Sequence, residues 1–326
     1  MNQQVISKSR SAEPNFFTVR RLGHVNLYSG DLDGAMTFYN EVIGIEEVYR
    51  TPLQGGGFLS NGNTHHDIAF IDVNGPVGKA RKAKVPQLNH LGFELESEAA
   101  LVESYNAAVA AGCKFLRTMD HDIAHSVYNF DPDGNVYEVY ADVVSEWRSQ
   151  RTGTVTKPKP DWTPGSTPPI AESLYHLDPE IRRVKTAIFH PEYTTHAVMV
   201  VTDLAKSEAH YQAIPGLRTV SNGADGDIAV MAGSASDISL VLIQATDARP
   251  VGYRHVSMKV TDVADLQEST WKARSMGLPI AVEIAEAGRL AIQVKDTEGY
   301  VTHLYADSGL GLDYDGLTAD KALLLL

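Results

Sequence analysis

The sequence contains four copies of one short pattern, and this repeat limits the folds open to the chain. Each copy begins with a short alternating strand, continues into a helix of about three turns that ends near a glycine, and closes with further short strands. Each copy therefore predicts a βαβββ unit. The copies begin at Leu22, Leu88, Thr194 and Tyr253. A single unit cannot bury both its helix and its sheet, so we expect the first to pair with the second and the third with the fourth.

This pairing predicts an α+β fold in which four βαβββ modules form two cup-shaped half-barrel domains. The first domain is expected at residues 1–150 and the second at 186–326. Pro, Gly, Ser and Thr dominate the start of residues 151–185, which predicts a linker over the surface. We also expect a short helix at 173–183, and another in the tail from Leu310 that docks on the body.

Composition argues against several classes of function. The formal net charge of −13 disfavours binding to nucleic acid or anionic membranes. No apolar run approaches the length of a membrane span, and the first residues lack the apolar segment of a secretory signal. Cys113 is the only cysteine, so no intrachain disulfide can form. We therefore expect a cytoplasmic protein with neither nucleic acid nor membrane as a partner.

Each unit carries a histidine near the start of its first strand. These histidines are His24, His90, His196 and His255. Because side chains alternate along a strand, the faces that carry His24 and His90 in the first two units are polar and the opposite faces are apolar. The apolar faces should pack under the helices, so His24 and His90 should line the concave side of the first paired sheet.

Glu138 is a carboxylate in the otherwise apolar strand 136–140, which follows a turn at 131–135. Burying a carboxylate there is costly unless a cation or hydrogen-bond donors receive it. We expect His24, His90 and Glu138 to face one cup. Two imidazoles and one carboxylate form a facial triad, which leaves open positions on an octahedral metal and is typical of non-haem Fe(II) oxygen chemistry. The residues thus predict these three side chains as metal ligands.

Further polar side chains are predicted close to this triad. Aligning residues 62–66 with 134–138 puts His66 at the position equivalent to Glu138, as a fourth ligand or an acid–base residue. His121 and Tyr128 precede the turn before Glu138. Tyr128 is placed to exchange a hydrogen bond with a phenolic oxygen.

These units resemble the vicinal-oxygen-chelate superfamily and, within it, the type I extradiol ring-cleaving dioxygenases of the catechol 2,3-dioxygenase group. The stretches that carry the resemblance are FYNEVIGI, HHDIAF, LNHLGFEL and DHDIAHSVYNFDPDGNVYEVYAD. The resemblance implies the glyoxalase/bleomycin-resistance/extradiol dioxygenase fold and Fe(II) as cofactor, with Mn(II) as a possible replacement. It also implies a small aromatic diol as substrate, O₂ as co-substrate and a homo-oligomer.

The resemblance also implies roles for individual residues. His24, His90 and Glu138 match the iron ligands, and His66 matches a histidine that moves protons between the substrate and oxygen. Tyr128 matches a tyrosine that hydrogen-bonds the substrate hydroxylate. His121 matches a further active-site histidine.

The C-terminal half departs from the family pattern. Two-domain members usually carry the metal in their C-terminal pair, whereas here the better triad is N-terminal. His196, His255 and His303 occupy the ligand positions of the C-terminal pair. Residues 236–237 and Gln293 stand where the N-terminal half has histidines and Tyr128. The three histidines therefore form either a second metal site or a remnant of duplication.

Two alternatives to ring cleavage keep the fold. If His66 is a ligand, four ligands resemble the isomerase, epimerase and lyase branch of the superfamily, in which a divalent metal polarises a carbonyl. The chain could also be a non-enzymatic small-molecule-binding protein that needs no metal.

Overall fold

The computed structural model describes residues 15–176, 178–286, 288–309 and 311–326. The N-terminal segment expected to lack a secretory signal falls largely outside these residues. The N-terminal half forms one nine-stranded sheet. Its strands are β1 (Arg21–Ser29), β2 (Glu47–Thr51), β3 (Gly56–Leu59), β4 (Ile68–Asp72), β5 (Leu88–Glu94), β6 (Arg117–Asp120), β7 (Ala124–Phe130), β8 (Val136–Asp142) and β9 (Gly153–Thr154).

The C-terminal half forms an eight-stranded sheet of matching design. Its strands are β10 (Pro191–Val201), β11 (Arg218–Ser221), β12 (Ile228–Ala232), β13 (Leu240–Gln244), β14 (Gly252–Val260), β15 (Ile280–Glu286), β16 (Arg289–Lys295) and β17 (Val301–Asp307). The helices are α1 (Leu32–Phe38), α2 (Pro76–Arg81), α3 (Glu98–Ala110), α4 (Leu204–Ala213), α5 (Val263–Ser275) and α6 (Ala319–Leu325). A π-helical turn, Tyr39–Ile43, extends α1, and a 3₁₀ turn lies at Trp147–Ser149.

Four βαβββ units are present, so the predicted architecture of two half-barrels is confirmed. The strand order is β6-β7-β8-β5-β1-β4-β3-β2-β9 in the first sheet and β11-β12-β13-β10-β14-β17-β16-β15 in the second. Units one and two join where β1 runs antiparallel to β5, and units three and four join where β10 runs antiparallel to β14. Within each unit the first and last strands are parallel neighbours.

Local sequence sets the ends of the main helices. Asp31, Ser97, Asp203 and Asp262 each accept a hydrogen bond from a backbone N–H of the first turn of α1, α3, α4 and α5. Glycines with positive φ follow the same four helices, in keeping with the predicted ends near Gly44, Gly112, Gly216 and Gly277.

The main core lies under the helices and extends between the two halves. Val25 and Leu27 of β1 are fully buried in it, as the alternation predicts. Aromatic rings from the two halves meet there, with Phe93 and Tyr211 in an edge contact at 6.2 Å. Backbone hydrogen bonds also cross between the halves, from Phe17 to Ile214 and from Phe189 to Val42. Because this core lies on the helix-covered faces, the concave faces of the sheets are available for a functional site.

Two expectations about the linker and tail had different outcomes. No helix forms in the described part of residues 173–183, so that prediction is wrong. The tail does form a helix, α6, which packs into the concave face of the C-terminal sheet. Within the described residues, no helix has the length and apolar character that a membrane span requires.

Candidate metal centre

His24, His90 and Glu138 converge in the concave side of the N-terminal sheet. His24 lies on β1, His90 on β5 and Glu138 on β8, which are neighbouring strands. The Nε2 atoms of His24 and His90 are 3.2 Å apart, and each lies 3.0 Å from Oε2 of Glu138. All three side chains are buried. Residues far apart in the chain thus present three donor atoms to one point.

The spacing of these donor atoms suits one face of an octahedron. For bonds of about 2.1 Å, adjacent octahedral positions lie about 3.0 Å apart and tetrahedral corners about 3.4 Å apart. The separations of 3.0–3.2 Å among the two imidazole nitrogens and the carboxylate oxygen are nearer to the octahedral value. The donor set of two nitrogens and one oxygen therefore fits a divalent transition metal and leaves positions open.

Burial puts these groups in the protonation states that a metal needs. It lowers the pKa of His24 to about 4 and also lowers that of His90, so both imidazoles are neutral at pH 7. Burial alone would raise the pKa of Glu138, but hydrogen bonds with His24 and His90 outweigh it and hold that pKa well below its usual value. The centre thus offers two neutral imidazoles and one carboxylate.

Two residues adjacent to the ligand positions shape the centre. Asn89 Oδ1 lies 2.6 Å from Nδ1 of His90, which fixes the tautomer whose Nε2 lone pair faces the centre. Gly92 lies on β5 directly between His24 and Glu138. A Cβ atom on Gly92 would stand 2.2 Å from the His24 ring, so only glycine lets that imidazole lie across the strand. Gly92 was not identified from the sequence. The residue at the matching position of the fourth unit is Ser257.

His66 reaches the centre from a position that the sequence alignment did not give. The parallel pairing of β1 with β4 matches that of β5 with β8, and this register puts Ala69, not His66, at the position of Glu138. The proposed equivalence is therefore wrong, because His66 belongs to the loop before β4. Its ring nevertheless lies 3.9 Å from the ring of His24. Burial lowers the pKa of His66 well below 6.5, and its two nitrogens have no partner among the described residues.

Tyr128 and His121 form a pair on the opposite side of the centre. Tyr128 lies directly across the β7–β8 pair from Glu138. Its hydroxyl is 2.9 Å from Nε2 of His121, and that nitrogen lies 3.7 Å from Oε1 of Glu138. Burial raises the pKa of Tyr128 well above 10 and lowers that of His121 well below 6.5. Tyr128 is therefore a neutral phenol that can donate, and His121 a neutral acceptor.

The remaining histidines near the centre are held in other contacts. His65 Nδ1 lies 3.2 Å from Asp142 Oδ1. His125 Nδ1 lies 2.7 Å from Glu98 Oε1, and its ring stacks on Trp162 at 4.3 Å. At least one nitrogen of each of these side chains is thus engaged, whereas neither nitrogen of His66 has a partner among the described residues.

Two cations that sequence reasoning missed also line this cavity. Arg151 is almost fully buried and Lys159 is partly buried, and both belong to the segment between the two halves. Their positions depend on how that segment crosses the N-terminal cup. The sequence carries no periodic signal for such a crossing, because the segment is not part of a repeat unit.

The matching place in the C-terminal half is built differently. The register puts His303 at the position of Glu138 and Gln293 at that of Tyr128, as the sequence predicts. Ile238, next to residues 236–237, stands at the position of His66. His196 and His303 are fully buried, but His196 Nε2 hydrogen-bonds the carbonyl of Leu326.

Among the described residues, the donor atoms of His196, His255 and His303 do not lie within 4.8 Å of one another, whereas those of the N-terminal triad do. The second metal site that these histidines suggested is therefore not formed in this structure. The C-terminal cup is filled by α6 instead.

Comparison with known proteins finds matches in both halves of the chain. The sequence matches the profile of the Glyoxalase/Bleomycin resistance protein/Dioxygenase superfamily at residues 21–139 and 194–304, which is more than half of the chain. A biphenyl-2,3-diol 1,2-dioxygenase of Rhodococcus globerulus is 29% identical over 125 residues, or 37% of this chain and 63% of the relative. A catechol-2,3-dioxygenase of Bacillus subtilis is 26% identical over 206 residues, or 62% of this chain and 66% of the relative. The chain thus spans slightly less than two thirds of either relative.

A solved structure extends the likeness to the whole fold. The Mn(II)-bound glyoxalase of Novosphingobium aromaticivorans superposes with a TM-score of 0.65 at 15% identity, and the match covers 93% of this chain and 86% of that one. Both halves of the present chain are therefore included in the shared fold.

Proposed function

We propose, from the premise that this chain belongs to the Glyoxalase/Bleomycin resistance protein/Dioxygenase superfamily, that it cleaves a catechol-like aromatic diol next to its hydroxyl groups and inserts both atoms of O₂. One observation carries the proposal: the donor atoms of His24, His90 and Glu138 form a triangle with edges of 3.0–3.2 Å that suits three adjacent positions of an octahedron. The dioxygenase relatives from Rhodococcus and Bacillus support the reaction class.

His24, His90 and Glu138 would hold the metal, for which Fe(II) is proposed. When bound there, Fe(II) supplies the redox chemistry that joins a chelated diol to O₂. Ala69, at the position in β4 that corresponds to Glu138, supplies no further ligand from that strand. Asn89 holds the His90 ring, so the protein fixes the donor atoms before substrate arrives.

His66 and Tyr128 would each act on a different oxygen atom of the substrate. His66 is neutral, buried and without a partner among the described residues, so it can take a proton from a diol hydroxyl and return it later. A neighbouring catecholate anion would raise the pKa of His66 toward the working range. Tyr128, kept as a neutral phenol, would donate a hydrogen bond to the second substrate oxygen, with His121 accepting when the site is free.

The test is an aerobic assay of Fe(II)-loaded protein with simple, alkylated, arylated and carboxylated catechols. We expect a yellow ring-opened product, one O₂ consumed per diol, and incorporation of both atoms of labelled O₂. Absence of turnover with every diol in that panel, from protein shown to contain one Fe(II) per chain, would overturn the proposal.

A second candidate is a metal-dependent isomerase, epimerase or lyase, in which His66 would join His24, His90 and Glu138 as a fourth ligand. The position of the His66 ring beside that of His24, with ring centres 3.9 Å apart, favours it. His66→Ala separates the two candidates. Retained metal with turnover reduced about 10²- to 10⁴-fold supports proton transfer by His66. Loss of metal supports the four-ligand alternative, and wild-type protein that binds no metal would favour a binding protein.

A further inference from the structure

Residues 151–162, here named the strap, cross the mouth of the N-terminal cup. At one end, β9 pairs in parallel with β2, and Val155 donates to the carbonyl of Arg50. At the other end, the carbonyl of Pro160 accepts from Asp120, and Trp162 pairs with Thr118 of β6. Strands β2 and β6 lie near opposite ends of the same sheet. The strap therefore joins the two sides of the cup and covers the candidate metal centre.

The strap contributes two cations to the cavity that contains Glu138. Arg151 is 2% exposed; its Nη2 donates to the carbonyl of His121, but its buried Nη1 has no partner among the described residues. The Lys159 ammonium lies 5.0 Å from the centre of the Phe58 ring. Burial lowers the pKa of Lys159 to about 8, which still leaves most of it protonated at neutral pH.

These cations have little opposite charge around them. Among the residues that line the cavity, Glu138 is the one carboxylate, and it belongs to the metal ligands. Asp122, which does not line the cavity, lies 3.8 Å from Arg151, and Lys157 pairs with the same carboxylate at 2.7 Å. A bound divalent metal would add further positive charge. Since buried charge without a counter-charge is costly, the cavity favours an anionic ligand.

The entrance leads past Lys159. His121 and Lys159 are the least buried of the residues that line the cavity, so we place its opening beside them. The cavity measures about 30 Å³, whereas a dry cavity that admits a benzene ring measures about 150 Å³. An aromatic ring therefore enters only when a lining group moves, and the long, half-buried Lys159 side chain is suited to do so.

We propose that Arg151 and Lys159 form a subsite for an anionic substituent, so that the preferred substrate is an aromatic diol that bears a carboxylate. The inference rests on the proposed function for how the two hydroxyl groups of the substrate are bound. The metal centre would take the two hydroxyl groups, and the strap would take the carboxylate on the opposite side of the ring. Arg151 supplies a fixed donor and Lys159 a movable one.

A purely structural role explains part of this arrangement but not all of it. The bond from Arg151 to the His121 carbonyl anchors the strap, and Lys159 over Phe58 is a cation–π contact. Neither role accounts for the free Nη1 of Arg151 or for an ammonium without a carboxylate partner in the described residues. The subsite explains both.

The test compares Lys159→Met with Lys159→Arg and with Lys157→Met. Lys157 belongs to the same strap but is exposed and paired with Asp122, so it is the matched control. Substrates are used in pairs, such as 3,4-dihydroxyphenylacetate and 4-methylcatechol. We expect Lys159→Met to raise KM for the carboxylated diol about 10- to 100-fold, as loss of one charge-assisted contact does. KM for the methylated diol should change by a much smaller factor, because that diol offers no anion to the ammonium. Lys159→Arg should restore most of the loss, and Lys157→Met should resemble wild type.

Anaerobic calorimetry of the same diols with the Zn(II)-loaded protein gives a readout that needs no turnover. A preference for the carboxylated diol that weakens with salt and disappears in Lys159→Met supports the subsite. If wild type cleaves both diols equally well and Lys159→Met affects them equally, the subsite is refuted while ring cleavage stands. If no diol is cleaved but the binding preference remains, the proposed function fails and the subsite survives.

Discussion

The two halves of the molecule share one architecture but use their concave faces in opposite ways. In the N-terminal half, β1, β5 and β8 bring His24, His90 and Glu138 within 3.2 Å of one another. In the C-terminal half, the matching strands carry three histidines, and α6 fills the cup together with Leu326, which follows it. The backbone plan therefore permits a polar centre without requiring one.

A few side chains decide between these outcomes. Gly92 gives the His24 ring room, whereas Ser257 at the matching place bonds the carbonyl of Leu326. The strap runs over the first cup and supplies cations, whereas the second cup is closed by an apolar helix. The comparison shows that two sheets of similar design acquire different contents when different segments cover them.

The largest difference should appear on removing one imidazole from each half. His90→Gln deletes a donor atom from the N-terminal triad, so we expect the metal affinity to fall by more than about 100-fold, since even outer contacts of metal ligands are worth 10- to 100-fold. Its counterpart, His255→Gln, should leave the metal content unchanged. Metal per chain is measured by elemental analysis after dialysis. Equal losses in both variants would contradict the assignment of the centre to the N-terminal half.

The apolar filling of the C-terminal cup can be tested through α6. Leu325 is 1% exposed, and Leu325→Ala should lower the free energy of unfolding by about 2–5 kcal/mol because it leaves a cavity. Leu324→Ala on the same helix, where the side chain is only partly buried, is the control and should cost clearly less. Urea unfolding measures both. Metal content should stay at the wild-type value, and its loss in Leu325→Ala would show that the two cups are coupled.

Exchanging Gly92 and Ser257, which occupy matching positions of the two sheets, should make the surroundings of His24 and His196 more alike. Gly92→Ser introduces a Cβ where only 2.2 Å separates that position from the His24 ring, so His24 must shift. We expect the metal affinity to fall about 10- to 100-fold with little change in fold. Ser257→Gly is the reciprocal control and should not alter the metal affinity. Competition with a chromogenic chelator gives the affinities, and an unchanged value for Gly92→Ser would refute the packing argument.

The smallest effect concerns the histidine that replaces Glu138 in the C-terminal half. His303 is fully buried, its nitrogens have no partner among the described residues, and burial lowers its pKa well below 6.5. In the unfolded chain the imidazole of His303 binds a proton near pH 6.5, whereas in the folded chain it stays neutral to a lower pH. Protonation therefore favours the unfolded chain, and the free energy of unfolding falls as the pH drops below 6.5.

His303→Leu removes that dependence along with two unsatisfied atoms, so we expect about 1 kcal/mol of added stability at pH 7.5 and a further gain of about 1.4 kcal/mol relative to wild type at pH 5.5. Urea unfolding of the metal-free protein at the two pH values measures this. Exposed His176 is the control site, and His176→Leu should not change the pH dependence. A wild-type stability that is flat between these pH values would contradict the prediction.

The repeat made most of the fold predictable. Strand alternation placed Val25 and Leu27 in the core, and the recurring histidine position identified His24 and His90 together. Sequence alignment assigned the position of Glu138 to His66, whereas the structure assigns it to Ala69. The alignment failed because the loop before β4 has no regular period. The helix expected at 173–183 failed because nothing in that segment provides a face for it to bury.

The amino-acid sequence alone determined the four units and their pairing, since these follow from local periods of two and 3.6 residues that repeat along the chain. It also singled out His24, His90 and Glu138 as residues expected to meet. Only the tertiary structure decided that Gly92 makes room for His24, that the strap brings Arg151 and Lys159 over the centre, and that α6 fills the other cup. The physical reason is that such contacts join residues of different segments. They depend on space and charge at a point in three dimensions, which no pattern along the chain records.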